Sequence, residues 1–325
     1  MTSRHRRRGG LLAGRLGDVL GAVAAAVVQA LFALLRSFGP DRASRLGGAL
    51  ARTLGPLLPV DRVGRDNLRS AYPEKSETEI RAILTDVWDN LGRTVAEYPF
   101  LPELFDYDPD PGAAPGRIEV AGIEHFLKLR DGGRPVIIVS AHLANWELPA
   151  VAAARFGLDA TIVFRPPNGP ASARAVEAFR ARAMGNLLPS GPGAASRMVA
   201  VLERGGHLGM LADQHLTLGL IVPFFGRPAL ANPVLAKLAR RFDCEVHGAR
   251  CVRLAGGRFR LELTPPLDLP RDGDGAIDVE RSTAHIASVI EGWVREEPGQ
   301  WLWLHRRWRV REVAQPRRIG EASSR

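Results

Sequence analysis

The chain has 325 residues, of which 46% are hydrophobic, so it can bury a substantial core without disulfides or a structural metal. Its two cysteines, Cys244 and Cys251, have the spacing of neither a zinc site nor a redox pair, which excludes those chemistries and favours structural thiols. The formal net charge of +9 favours an anionic partner: nucleic acid, an anionic membrane surface, or an acidic substrate or carrier.

The N-terminus combines several arginines with an apolar stretch, Val19–Leu35, at the short limit for spanning a bilayer. The signal for proteolytic processing after it is poor, which favours a retained anchor over a cleavable signal peptide. Arginines on both sides leave its orientation open, and a re-entrant helix or one in the headgroup plane are alternatives. We therefore predict a basic N-terminus and membrane-anchor helix over residues 1–40.

Residues 41–115 are predicted to form a helical section that packs on the catalytic domain. Pro56 to Pro73 is interpreted as a turn-rich connection, and Ser76 with Glu79 forms a capping-box pattern at the start of a helix. The apolar residues after it recur at helical spacing, at Ile80, Ile83, Leu84, Val87 and Leu91.

From residue 116 to 312, short β-branched runs alternate with helical segments, which predicts an α/β domain with a mostly parallel mixed sheet flanked by helices. The predicted strands are Ile118–Val120, Val136–Ser140, Thr161–Phe164, His207–Leu211, Glu245–Leu254 and Arg258–Leu263, the last two as an antiparallel hairpin. The predicted helices are Ile123–Arg130, Trp146–Phe156, Ala171–Met184, Ser196–Arg204, Val234–Phe242 and Val279–Glu296. Residues 313–325 are predicted to be a disordered tail.

A histidine follows the most strand-like segment of the chain, where α/β folds place their sites. His142 comes just after Val136–Ser140, and Glu147 follows five residues later, at the predicted start of a helix for which Asn145 is a candidate N-cap. Imidazole can take a hydroxyl proton and return it to a leaving thiol, and a carboxylate behind the ring fixes its tautomer. We expect Glu147 to reach back to the ring; a purely structural His–Glu pair fits the same spacing.

Two other kinds of catalytic site are disfavoured. A serine hydrolase needs Gly-x-Ser-x-Gly at a strand-to-helix turn, and the motif is absent, which argues against Ser140 as a nucleophile. No clustered metal ligands occur, and His207, His215 and His247 are scattered and read as surface or satisfied polar residues.

Two aromatic segments admit more than one interpretation. Phe224 and Phe225, followed by Arg227, fit either the wall of a channel for an apolar chain or ordinary core packing. Tryptophans and arginines mix in the segment 301–309, which could suggest nucleic acid, but no nucleic-acid-binding module surrounds them. We therefore interpret the segment as a membrane interface.

Several motifs, taken in chain order, resemble those of the late acyltransferases of lipid A biosynthesis, in the wider lysophospholipid acyltransferase-like superfamily. The resemblance runs from about residue 18 to 310. It is carried by Asn67–Pro73, Ser140-Ala-His-Leu-Ala-Asn-Trp-Glu147, Phe164-Arg-Pro-Pro-Asn168, the helix with Arg180 and Arg182, Gly209-Met-Leu-Ala-Asp-Gln214, Val222–Arg227 and Gln300–Arg309.

The resemblance implies that His142 and Glu147 form the catalytic His-x4-acid dyad, and that acyl transfer needs no covalent acyl-enzyme. The substrate-binding residues it implies are Arg165, Asn168, Arg182, Asp213 and Arg227. Arg165 precedes two prolines, and its fork-shaped cation could grip a sugar phosphate. Asp213 could hold Arg165 or order the acceptor, although a plain loop or cap role fits nearly as well.

By the same resemblance, the acyl donor is acyl carrier protein and the acceptor is a hydroxyl of a lipid A precursor, without cofactor or metal. An acidic carrier suits the basic chain and puts the catalytic domain on the cytoplasmic face of a bacterial inner membrane, among whose lipids the protein works; no nucleic acid is expected as a partner. One alternative is an acyltransferase for another glycolipid or a lysophospholipid. A second is a non-catalytic membrane protein that binds anionic lipid.

Overall fold

The computed structural model describes residues 26–110, 112, 114–166, 180–214 and 218–308. Its helices are α1 (26–38), α2 (Pro40–Leu54), α3 (Pro59–Ala71), α4 (Glu77–Glu97), α5 (Leu101–Leu104), α6 (Ile123–Asp131), α7 (Leu148–Arg155), α8 (180–183), α9 (Ala194–Glu203), α10 (Val234–Phe242) and α11 (Val279–Glu296). Its strands are β1 (Ile118–Ala121), β2 (Ile137–Ser140), β3 (Ala160–Phe164), β4 (Asn186–Pro189), β5 (His207–Leu211), β6 (Leu220–Phe224), β7 (Arg227–Ala231), β8 (Val246–Arg253) and β9 (Phe259–Pro266).

Seven of these strands form one mixed sheet in the order β1-β9-β8-β2-β5-β3-β4. Strands β2, β3, β4, β5 and β8 all run parallel, and β9 pairs antiparallel with β8 and parallel with β1. The predicted α/β class with a mostly parallel mixed sheet is therefore confirmed, as is the β8–β9 hairpin. Because parallel strands end at the same edge, the residues that follow β2 and β5 are brought together there.

The two faces of the sheet have different surroundings. Successive side chains of β2 show this, because they point to opposite faces. On one face, Ile137 and Val139 of β2 belong to the main hydrophobic core, which also takes in residues of α4, α9, α10 and α11. On the other face, Ile138 and Ser140 line a cavity together with residues of α6 and α7.

The helical section contains the predicted capping box. Ser76 Oγ accepts a hydrogen bond from the Glu79 backbone N–H (3.3 Å), and the Glu79 carboxylate accepts one from the Ser76 N–H (2.8 Å). The box opens α4, whose residues Ile80, Leu84 and Val87 are buried as their helical spacing predicts.

The interpretation of Pro56 to Pro73 as a turn-rich connection is wrong, because most of this segment is the helix α3. Pro59 occupies the first position of α3, where a missing N–H costs no helical hydrogen bond. Strand β4 and the separate β6–β7 hairpin were not predicted.

Some predicted segments lie partly or wholly outside the described residues. Of the predicted anchor Val19–Leu35, the structure describes only residues 26–35, all helical, and none of the helices in the described part of the chain is long and apolar enough to cross a membrane. The anchor is therefore not confirmed. Most of the predicted helix Ala171–Met184 and the tail 313–325 also lie outside the described residues.

Candidate active site

The candidate site begins at the loop that follows β2, residues 141–147. Ala144 in this loop has a left-handed backbone, with φ of 48°. The Ala144 carbonyl accepts a hydrogen bond from Thr94 Oγ1 (2.9 Å), and its N–H donates to the Gln300 carbonyl (3.0 Å). A non-glycine residue keeps such a conformation only where its surroundings determine it, so these bonds fix the path of the loop.

The His142 side chain lies against Asp213. Strands β2 and β5 are neighbours and Ser140 pairs with Leu211, so the residues two positions beyond each strand end face each other. His142 Nδ1 is 2.8 Å from Asp213 Oδ1, and the His142 backbone N–H donates to Asp213 Oδ2 at 2.7 Å. One carboxylate therefore fixes both the main chain and the ring of His142.

Two further side chains complete this polar centre. Trp301 Nε1 donates a hydrogen bond to Asp213 Oδ2 at 2.7 Å, and Gln214 Nε2 lies 3.1 Å from His142 Nε2. The Asp213 side chain is fully buried, whereas that of His142 is 13% exposed. The ring is thus held at its back and accessible at its front.

The charge state of Asp213 determines which nitrogen of His142 carries a proton. Burial would raise the pKa of the Asp213 carboxyl, but the neighbouring His142 and its hydrogen bonds hold that pKa well below its usual range. The carboxylate can then only accept hydrogen bonds, so a neutral ring keeps its proton on Nδ1. Nε2 is left as the acceptor, the atom that can take a proton from a hydroxyl.

Glu147 lies in a second polar cluster. Its Oε1 accepts hydrogen bonds from the Tyr98 hydroxyl, from Arg180 Nη2, and from Trp146 Nε1 at 3.1 Å. Burial and then the charge of Glu147 raise the pKa of Tyr98 above its usual value, so the phenol stays protonated and donates. The structure thereby changes the predicted partner of the His142 ring from Glu147 to Asp213, while a catalytic role for Glu147 stays a prediction.

Both clusters open into one cavity of about 500 Å³ between the sheet and helices α6 and α7. Most of its wall is apolar, and many lining residues are small: Ala121, Gly122, Ala150, Ala152, Ala153, Ala160, Gly209, Ala212 and Ala249. Small side chains on facing strands and helix leave space that larger ones would fill. The cavity therefore combines a mostly apolar space with the His142 side chain in its wall.

Comparison with known proteins identifies the family. Residues 18–310 match the family model described as "Bacterial lipid A biosynthesis acyltransferase". The chain belongs to this family. It is 25% identical over 263 residues to the "Lipid A biosynthesis lauroyltransferase" of Escherichia coli (strain K12), which covers 78% of this chain and 80% of that protein. It is 24% identical over 276 residues to that strain's "Lipid A biosynthesis palmitoleoyltransferase", with 82% and 84% covered.

The family match confirms the resemblance that the sequence motifs suggested, and the predicted substrate-binding residues of this lipid A acyltransferase family member can now be placed. Asp213 is buried at the centre of the site, and exposed Arg165 lines the cavity. Arg182 and Arg227 are exposed and do not line it. Asn168 lies outside the described residues. The structure thus brings two of the five to the site and leaves two away from it.

Neither Ser140 nor the two cysteines have the surroundings of an activated nucleophile. Ser140 Oγ is buried and has no hydrogen-bond partner among them, so no base faces it. Burial raises the pKa of Cys244 to about 11 and that of Cys251 to about 12, which keeps both as thiols at neutral pH. Both cysteines are free and buried, as expected of structural thiols.

Interpreting the segment 301–309 as a membrane interface is wrong for its described residues 301–308. Trp301 and Trp303 are buried, and Arg307 is 2% exposed, with Nη1 donating to the Leu230 carbonyl at 2.7 Å. Phe224, beneath the Arg307 guanidinium, is core rather than channel wall, as is Phe225. The segment contacts the site through Trp301, which bonds to Asp213, and through the Leu302 N–H, which donates to the His142 carbonyl.

Five side chains of the two polar clusters were not predicted as site residues: Tyr98, Trp146, Arg180, Gln214 and Trp301. Arg180 and Trp301 both stood in family-like motifs, which was a signal of importance but not of contact. Tyr98 carried no motif. The position of Asp213 just beyond a predicted strand, like that of His142, was the signal that could have paired them.

Proposed function

We propose that this chain transfers a fatty acyl group from acyl carrier protein to a hydroxyl of a lipid A precursor, with His142 as general base and no covalent acyl-enzyme. The observation that carries the proposal is His142, backed by buried Asp213, beside an apolar cavity of about 500 Å³. Membership of the lipid A acyltransferase family supports the acceptor class.

In the proposed reaction, the acceptor hydroxyl first donates a hydrogen bond to His142 Nε2. It replaces the amide of Gln214, whose Nε2 lies 3.1 Å from His142 Nε2. The hydroxyl oxygen attacks the thioester carbonyl carbon as Nε2 takes the proton. The carbon–sulfur bond of the tetrahedral intermediate then breaks, and the imidazolium returns the proton to the leaving thiolate. Asp213 stabilises the imidazolium between these two steps.

The apolar cavity suits the acyl chain of the donor. Burial of a hydrocarbon chain in a preformed apolar space is favourable by about 0.8 kcal/mol per methylene. The loop after β2, which carries His142, leads directly into α7, whose residues Pro149, Ala150, Ala152 and Ala153 line the cavity. A chain in this cavity would have its carbonyl end at the ring.

Glu147 is proposed to act through Arg180. The carboxylate is 4% exposed and pairs with the guanidinium, which also stacks over Phe164 with a separation of 5.6 Å. Such a pair orients a cation rather than a base. Arg180 lines the same cavity as His142, so a cation held there would favour an oxygen that gains negative charge.

Arg165 and the overall charge suit the two substrates. Exposed Arg165 lines the cavity at the end of β3, where it could pair with a phosphate of the glycolipid acceptor. The net charge of +9 favours an acidic carrier protein and anionic lipids. We propose that the reaction takes place at the cytoplasmic face of a bacterial inner membrane and that it needs no cofactor or metal.

The test is transfer of labelled lauroyl and myristoyl groups from acyl carrier protein to a tetra-acylated, Kdo-bearing lipid A precursor. We expect product with the wild type, loss of product with His142→Gln, and strong reduction with Glu147→Ala. His125→Gln is the matched control, because His125 lies on α6 outside the cavity wall. Equal rates for His142→Gln and the wild type would reject the mechanism. Product with a lysophospholipid alone would reject the acceptor.

A further inference from the structure

Three polar residues of α4 form a buried row at helical spacing. Asn90, Thr94 and Glu97 share one face of the helix and are 6%, 0% and 2% exposed. We call these three residues the α4 polar stripe. Earlier turns of α4 bury apolar side chains, as a core helix normally does. A buried polar row in such a helix is informative, because burying polar groups costs free energy unless each is bonded.

Two residues of the stripe hold the loop that carries His142. Thr94 Oγ1 donates a hydrogen bond to the Ala144 carbonyl at 2.9 Å, and Asn90 Nδ2 donates to the same carbonyl at 3.3 Å. Ala144 has the left-handed backbone of this loop, a conformation that a non-glycine residue keeps only with support from its surroundings. The stripe therefore bonds the loop where its path needs support most.

The third residue of the stripe, Glu97, determines how the Asn145 side chain is turned. Glu97 Oε2 accepts a hydrogen bond from Asn145 Nδ2 at 2.9 Å. A carboxylate can only accept, so the NH₂ group of Asn145 must face it and the amide oxygen must point away. That oxygen accepts from the Glu147 N–H at 3.3 Å, at the start of α7. The charge of Glu97 thus acts on the loop through Asn145.

Glu97 keeps its charge because Arg253 of β8 pairs with it. Arg253 donates from Nη1 to Oε1 and from Nη2 to Oε2 (2.9 Å), and Ser44 Oγ donates to Oε1 at 2.6 Å. Burial would raise the pKa of the Glu97 carboxyl, but the Arg253 charge and these hydrogen bonds hold that pKa below its ordinary value. Arg253 also donates to Thr94 Oγ1 at 3.1 Å and to Asn90 Oδ1 at 2.9 Å. One guanidinium therefore contacts all three residues of the stripe.

We propose that Glu97, paired with Arg253, is a positioning residue that holds the loop after β2 and thereby keeps His142 in place. The effect on rate rests on the proposed reaction, but the state of the His142 ring can be measured without any acyl transfer. A buried ion pair is weak evidence for a role in stability, because the cost of desolvation offsets its attraction. Its forked hydrogen bonds are directional, which suits the fixing of one loop conformation.

The test removes the pair from the full chain with Glu97→Gln and Arg253→Met together, so that neither charge is left buried alone. Thr94→Val is a second, milder variant, which removes only the hydroxyl that donates to the loop. Thr283→Val is the matched control, because Thr283 is 3% exposed, lies on α11 outside the cavity wall, and bonds to its own helix. Thermal unfolding of each variant gives a temperature at which all of them are folded.

The first measurement is NMR of isotope-labelled histidine rings at an alkaline pH, where the rings are neutral, and His142→Gln identifies the signal. In the wild type we expect the His142 proton on Nδ1, which faces Asp213. The variant without the ion pair should give a mixture, with part of the rings protonated on Nε2, because a released loop no longer presents the ring to the carboxylate. Thr283→Val should give the wild-type spectrum.

The second measurement is kcat and KM for acyl transfer. Loss of the ion pair should lower kcat by about 100-fold, the effect of a misplacement on the order of 1 Å, and leave KM unchanged. Thr94→Val should lower kcat by about fivefold, for one lost hydrogen bond, and Thr283→Val by less than about twofold.

Two results would overturn the proposal. The first is a folded variant without the ion pair that keeps the wild-type tautomer or a kcat within about threefold of the wild type. The second is an equal loss of kcat in Thr94→Val and Thr283→Val. If the wild type transfers no acyl group at all, the acyl-transfer proposal fails, and the tautomer of His142 alone then confirms or overturns the positioning role.

Discussion

Replacing Asp213 by Asn tests the assignment of His142 as the base, because the change keeps the shape of the side chain and removes its charge. Asp213 accepts hydrogen bonds from the His142 N–H, from His142 Nδ1 and from Trp301 Nε1. An asparagine has one oxygen for these three donors. Its NH₂ group must then face at least one of them.

The most damaging arrangement puts that NH₂ group against His142 Nδ1. The ring then accepts at Nδ1 and carries its proton on Nε2, so Nε2 cannot take a proton from the acceptor hydroxyl. For a histidine base in a serine protease, the corresponding change lowers kcat by about 10⁴. We therefore expect kcat of Asp213→Asn to fall by roughly 10³ to 10⁴, equivalent to about 4 to 5.5 kcal/mol of barrier.

The assay is single-turnover acyl transfer at saturating donor and acceptor, which separates chemistry from binding. Asp213→Asn should bind the donor about as well as the wild type, because Asp213 is buried behind the ring. The control is Asp159→Asn, because Asp159 precedes β3, at the sheet edge opposite Asp213, and does not line the cavity. A fall in kcat of less than tenfold for Asp213→Asn, in a folded protein, would refute the assignment of Asp213 as the ring's partner.

Three further changes test separate parts of the site. Trp301→Phe removes the indole donor to Asp213 and should lower kcat by about 10- to 100-fold without changing KM. The acid limb of the pH–rate profile should also move to higher pH, and an unchanged profile would contradict a positioning role for Trp301. Gly209→Val places an isopropyl side chain in the cavity beside Ile162. It should shift the preference between two donors, whose acyl chains differ by two carbons, roughly tenfold toward the shorter chain; competition between the two donors in one reaction measures this preference. Burial lowers the pKa of His305 to about 4, so between pH 6.5 and pH 4 the unfolded chain binds a proton that the folded chain does not. The free energy of unfolding should therefore fall by up to about 3 kcal/mol over this range, and urea titrations of His305→Gln should show a shallower fall.

The sequence predicted the core of the fold because its central strands are apolar and bounded by turn residues. The predicted strands at β2 and β5 and the helices α10 and α11 match the structure closely. Strand β4, Asn186–Pro189, was missed because it begins with asparagine and ends with proline, two residues that are uncommon in strands. The β6–β7 hairpin was missed because Pro223 and Pro228 lie within it, and proline argues against a strand.

The sequence predicted the position of His142 but not the residue that its ring contacts. Sequence alone gave His142 its position at a strand end, but the partner of the ring depends on which strand lies next to β2. That neighbour is β5, 67 residues further along the chain from Ser140 to His207, and no local spacing indicates it. Glu147 is close to His142 in sequence but pairs instead with Arg180, 33 residues further along the chain, and no local spacing indicates that contact either.

The segment after α11 ties completion of the chain to assembly of the reaction centre. The Gln300 carbonyl, the Trp301 indole and the Leu302 N–H all bond to the loop after β2 or to Asp213. A chain that ended before residue 300 would lose these three bonds and also the buried Trp301 and Trp303 side chains of the main core. The last described segment therefore links the packing of the core to the position of His142.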